Sequence, residues 1–259
     1  MSDGTPAETF TEYVETIEDG DDARFTNWCR ACAEPDWTSA TEHQFTEALR
    51  AGTLDDAVCR EYLVQDYAFL RSLVGAFGHA LGDAPSMAAR SRLTGFLGTL
   101  TDDENDYFER SFDALDVPDA ERRDPELTPT TRAFQDLLRS AARAGGYAET
   151  LAVLVPAEWS YRSWAGKPVD EPPAQFYFAE WIELHDNPGF DEFVTWLRTE
   201  LDREGAAASP RRQQRLTRLF RRTTELEVSF FDSAYRWANS ETGPASETAA
   251  TGTGGESRW

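Results

Sequence analysis

Apolar side chains recur along this chain at intervals of three and four residues, and no stretch sustains the alternation of a half-buried strand. Val58, Tyr62, Leu70, Leu73, Val74 and Phe77 give residues 55–78 a broad apolar face and predict a long helix there. Before it, Phe45, Ala48 and Leu49 predict a helix over 38–50 that Gly52 stops. The first twenty residues are polar but hold Phe10, Tyr13 and Val14, which suit a short helix. Further helices are predicted at 84–98, with Pro85 near the start, and at 101–113 after a polar break. Pro118, Pro125 and Pro129 mark 115–130 as a connector. Helices resume at 131–144 and 146–165, parted by Gly145-Gly146, and then at 172–186, 190–202 and 208–239. This is the pattern of an all-α bundle. Residues 1–239 read as one helical domain with an amino-terminal extension, whereas the Gly, Ser, Thr, Ala and Glu of 240–259 predict a disordered tail.

Charge adds a constraint on partners. Forty-seven acidic residues stand against 25 basic ones, a formal charge of -22, while 40% of the chain stays hydrophobic. A folded core inside a strongly acidic, hydrated surface satisfies both numbers. Adaptation to concentrated salt is one origin of such a surface, since salt screens its self-repulsion. A phosphate backbone would be repelled, so no nucleic-acid partner is expected. Arg211, Arg212, Arg215, Arg218, Arg221 and Arg222 form one basic run, read as a solvated helix face paired with surface acids. Neither a run of about 18 apolar residues nor a basic-then-apolar amino terminus is present, so neither a membrane span nor a secretory signal is expected and the location reads as cytoplasmic. Cys29, Cys32 and Cys59 make no disulfide framework, and with only His43, His79 and His185 to help, Cys29-x-x-Cys32 is short of zinc ligands.

Three stretches carry candidate chemistry. On the 55–78 helix Tyr62, Asp66 and Phe69 share a face through spacings of four and three. A carboxylate on that largely apolar side needs a ligand or a hydrogen-bonding partner from another helix, because its desolvation is costly. In Pro156-Ala-Glu-Trp-Ser-Tyr161, Ala157 and Tyr161 stack at i,i+4 while Glu158 is turned about 100° away. Pro156 either begins that helix or kinks it. In residues 224–235 Glu227 falls within an inward face of Phe230, Phe231, Ala234 and Tyr235, and Glu225 points to solvent. An acid among aromatic rings has a raised pKa and can exchange a proton near neutrality. A bundle core with hydrogen-bonded acids would show the same pattern.

Taken in order, Thr41-Glu-His-Gln-Phe45, Gly52-Thr-Leu54, Tyr62-Leu-Val-Gln-Asp-Tyr67, Leu154-Val-Pro-Ala-Glu-Trp-Ser-Tyr161, Tyr177-Phe-Ala-Glu-Trp-Ile182 and Glu227-Val-Ser-Phe-Phe-Asp232 resemble the TenA/thiaminase II family across most of residues 25–238. The resemblance implies a haem-oxygenase-like helical bundle, neither a cofactor nor a metal, and a homo-oligomer, commonly a tetramer. It implies hydrolysis at the methylene carbon of an aminomethylpyrimidine or its formylamino form, releasing hydroxymethylpyrimidine in thiamine salvage. The family's pyrimidine-binding aspartate falls on Asp66, its tyrosine beside the cysteine on Tyr161 and its proton-transfer glutamate on Glu227. Three departures matter: Ala157 stands at the nucleophilic cysteine and is followed by Glu158, and Phe69 and Phe178 stand where the family has tyrosines. This resembles the cysteine-lacking branch. On that likeness Glu227 and Glu158 are expected to divide proton transfer and water activation, with Tyr161 orienting one carboxylate. Asp66 is expected to hold the protonated pyrimidine edge, and Tyr67, Trp159 or Phe178 to flank the ring. A noncatalytic pyrimidine-binding protein and a haem-oxygenase-like metallo-oxidase are the competing readings.

Overall fold

A computed structural model describes residues 6–17, 23–169 and 171–241, and every regular element in them is helical. In chain order these are α1 (Phe10–Thr16), α2 (Phe25–Cys32), α3 (Asp36–Thr41), α4 (Gln44–Arg50), α5 (Asp56–Asp83), α6 (Met87–Thr101), α7 (Asp103–Ala114), α8 (Asp119–Arg123), α9 (Pro129–Ala144), α10 (Tyr147–Ala165), α11 (Phe176–His185), α12 (Pro188–Ala207) and α13 (Pro210–Glu241). The expected tail at 240–259 lies, but for its first two residues, outside the described residues.

The bundle is built around α10, which packs against α13, α12, α5 and α9. Its residues Leu151, Ala152, Val153, Leu154 and Val155 are all fully buried. A helix apolar all round belongs inside a bundle, since no face of it gains from water. The long helices begin where the sequence supplies a side-chain acceptor for the free N–H groups of a first turn. Asp55 accepts from the Ala57 N–H, Thr128 from Thr131 and Asn187 from Phe190, with Pro129 and Pro188 filling first-turn positions that need no donor. Gly146 holds φ +86° at the turn between α9 and α10, a conformation L side chains rarely adopt.

Several boundaries differ from expectation for local reasons. The predicted 38–50 helix is two helices, because the His43 ring accepts from the Phe45 N–H and starts α4 afresh. α2, with Cys29 and Cys32 on it, went unpredicted although Phe25, Trp28 and Cys29 give it a buried face. Pro172-Pro173 delays α11 to Phe176. Pro156 neither begins nor ends α10 but sits inside it, one residue before Ala157. Arg212 pairs with Glu149 at 2.8 Å, and Glu149 is buried rather than a surface acid. Among the described residues no group of three or more His, Cys, Asp or Glu side chains could hold a metal ion, and no helix is long and apolar enough to cross a membrane.

Candidate active site

Asp66 and Phe69 of α5, Glu158 and Tyr161 of α10 and Glu227 of α13 line one largely buried cavity of about 50 Å³. Their helices are the ones that pack against each other through the middle of the bundle, so residues more than 160 apart in the chain meet there. Leu70 and Leu73 extend the α5 wall, since positions 66, 69, 70 and 73 lie on one helical face. Ala157 also lines the cavity, so the expected thiol position faces it without a thiol. No lysine or arginine is among the lining side chains.

Burial governs the electrostatics. Asp66 is 7% exposed, and desolvation lifts its pKa to about 7 although the Tyr62 hydroxyl favours its anion. Tyr62 and Tyr161 lie hydroxyl to hydroxyl at 2.7 Å, which couples the tyrosine beside Ala157 to that aspartate. Desolvation followed by the charge of Asp66 lifts Glu158 to about 8. Glu227, 2% exposed, is held well above the usual carboxylate range by desolvation and then by the charges of Asp66 and Glu158. Acids that share one buried cavity hinder each other's ionisation, so their protons leave in steps.

Three residues expected around the ring stand elsewhere. Tyr67 donates to Asn105 Oδ1 at 2.8 Å and packs on Phe108 and Phe112, because one residue after Asp66 a helix has turned about 100°. Trp159 is displaced from Glu158 in the same way and packs on Trp37, with the Arg198 guanidinium 3.6 Å from its ring centre. Phe178 is fully buried on the first turn of α11 against Tyr177, one turn before Trp181, Leu184 and His185 reach the cavity.

The structure also adds residues. Glu104, in the first turn of α7, is a fourth carboxyl in the lining, held well above the usual range by desolvation and then by Asp66 and Glu158. Its signal was readable: it precedes the buried Tyr107, Phe108 and Ser111 by three, four and seven positions, on the stripe that packs inward. Trp181 supplies an aromatic wall. His185 Nδ1 donates to the Trp181 carbonyl at 2.9 Å, which sets its tautomer, and burial lowers its pKa to about 4, so the ring is neutral. Phe96, Thr99 and Leu100 of α6 and Phe190 of α12 line the remaining side, where Thr99 is exposed.

Carboxyls of graded acidity and aromatic walls without a cationic side chain define a site for a small, planar, basic ligand on which protons can be moved. Residues 30–237 match the sequence model of the TENA/THI-4/PQQC family, and the chain belongs to that family. It is 26% identical over 205 residues to an aminopyrimidine aminohydrolase of Halalkalibacterium halodurans, covering 78% of this chain and 92% of the relative. A TenA homologue from P. horikoshii superposes with a TM-score of 0.70 at 23% identity, over 82% of this chain and 99% of the other. A Shewanella denitrificans domain described as having a heme oxygenase-like fold superposes with a TM-score of 0.59 at 11% identity, over 85% and 95% of the two chains. The architecture is therefore the haem-oxygenase-like bundle that the sequence motifs implied.

Proposed function

We propose that this chain is a thiamine-salvage hydrolase that cleaves the methylene C–N bond of an aminomethylpyrimidine or its formylamino form. The observation that carries this reading is the convergence of Asp66, Glu158 and Glu227, from three helices, on one cavity that Ala157 also lines, at the position where the family resemblance puts a cysteine. The named activity of the Halalkalibacterium relative supports the substrate class.

In this mechanism Asp66 hydrogen-bonds the protonated aminopyrimidine edge, an ion pair that burial strengthens. Glu158, with its pKa near 8, acts in its ionised form and takes a proton from water as the water oxygen bonds to the methylene carbon. Glu227, whose pKa is raised by desolvation and by the charges of Asp66 and Glu158, delivers its proton to the departing nitrogen, which leaves with the C–N electron pair. Tyr161, linked to Tyr62, orients the carboxylate beside it. The products are hydroxymethylpyrimidine and ammonia, or formamide from the formylamino form. The reading extends to a cytoplasmic homotetramer adapted to concentrated salt, without nucleic-acid or membrane partners and with residues 1–239 as one catalytic unit. Family likeness and the charge of -22 support that extension.

Chromatographic detection of hydroxymethylpyrimidine after incubation with aminomethylpyrimidine, at low and at multimolar salt, tests the activity. E227Q is expected to lose most turnover and keep substrate affinity. Binding without product in the wild type would make the chain a pyrimidine-binding protein instead.

A further inference from the structure

The carboxyl-lined cavity is small, and beside it lies a far larger space. A solvent-open groove of about 900 Å³ runs between α6 and the corner joining α11 to α12. Cavity and groove share Phe96, Thr99, Leu184 and Phe190, so those four side chains form the partition between them. Consecutive residues of α7 stand on its two sides, Asp103 in the groove and Glu104 in the cavity. A single heterocycle suits the cavity, and whatever is attached to the methylene nitrogen has to pass the partition.

The groove is graded along its length. Phe96 and Phe193 stack with ring centres 3.8 Å apart and form an aromatic floor beside Trp196. Arg92 lines the groove on α6 one turn before Phe96 and two turns before Thr99, about 6 and about 10 Å along the helix from those two partition residues at a rise of ~1.5 Å per residue. Arg92 is exposed and has no ion pair or hydrogen bond among the described residues. Asp103 and Glu104 thus stand beside the partition, and a free guanidinium stands one to two turns of α6 away along the groove.

We propose that this groove binds the leaving group of extended substrates, N-acylated aminomethylpyrimidines whose acyl chain ends in a carboxylate, such as the half-amide of succinic acid. The acyl chain lies on the aromatic floor and its carboxylate meets Arg92. The inference rests on the hydrolase reading. Water adds its oxygen to the methylene carbon, the C–N bond breaks, and the nitrogen departs with the electron pair and gains a proton, giving hydroxymethylpyrimidine and the primary amide.

The test compares aminomethylpyrimidine with its N-succinyl and N-butanoyl derivatives in the wild type, R92A, R92K and G95L. Gly95 lines only the groove, and a Cβ there meets no atom within 4 Å, so leucine fills the space while improving the helix. Wild type is expected to favour the succinyl over the butanoyl compound in kcat/KM by roughly tenfold, as one charge-assisted contact allows. R92A should erase that preference, R92K should keep part of it, and G95L should slow both acyl compounds. All three variants should turn over aminomethylpyrimidine like the wild type. No succinyl preference in the wild type, or an equal loss on all substrates in R92A, would overturn the proposal. If aminomethylpyrimidine itself is not hydrolysed, the hydrolase reading fails by itself. The groove is then judged by calorimetric Kd, where tighter binding of the succinyl compound upholds it and equal binding refutes it.

Discussion

Replacing Asp66 by asparagine should make the protein more stable, and more so as pH rises. In the folded chain burial lifts this carboxyl from an ordinary 3.8 to about 7. The folded state therefore keeps its proton to higher pH than the unfolded state does. Stability is full below about pH 4, falls as pH rises toward 7, and stays reduced above it. At ~1.4 kcal/mol per pH unit, the ionised group costs the fold about 4 kcal/mol at pH 8 and about 1 kcal/mol at pH 4.5. Asparagine imitates the neutral acid at every pH, so the advantage of D66N should grow by about 3 kcal/mol between those two conditions. For a chain of this size that corresponds to roughly 5–10 °C in Tm. Relief of Glu158 and Glu227, both pushed up by the Asp66 charge, acts in the same direction. Thermal melts of both proteins at pH 4.5 and pH 8, without substrate, give the comparison. A pH-independent difference, or a D66N protein that is less stable at pH 8, would refute the picture of a desolvated, strained aspartate. The same variant should bind the pyrimidine poorly, so the carboxylate would be a stability cost retained for function.

Three further outcomes follow from particular contacts. Glu104 lines the cavity without a part in the proposed mechanism, so E104Q should keep kcat within about threefold of wild type; a loss of the ~100-fold expected for a general acid would make Glu104 a proton donor. Removing the thiols in C29A/C32A/C59A should leave steady-state hydrolysis largely intact, because no cysteine lines the cavity and burial pushes Cys29 and Cys59 up, away from the reactive thiolate. Activity lost in this variant while its fold is retained would restore a thiol mechanism. G205A should destabilise the α2–α12 contact by ~1–3 kcal/mol in denaturant titration, since the added Cβ would lie 2.2 Å from the Phe25 ring, which is 1% exposed. An unchanged midpoint would show that Phe25 can move aside.

The sequence by itself determined the long helices, because a three-and-four spacing of apolar residues has one economical solution in water, and it placed Asp66 and Glu227 on inward faces for the same reason. Motif order was enough to name the family. It did not determine which neighbours of those acids meet the cavity. Tyr67 and Trp159 adjoin Asp66 and Glu158 in the chain, yet each is rotated onto a different helix–helix seam. Nor could local pattern bring Glu104 to the other three carboxyls, since its helix carries an inward stripe without saying what that stripe faces. Periodicity specifies rotation about one helix axis. Only the packing of α5, α7, α10 and α13 against one another decided which side chains share a buried space, and with it which protons are hard to remove.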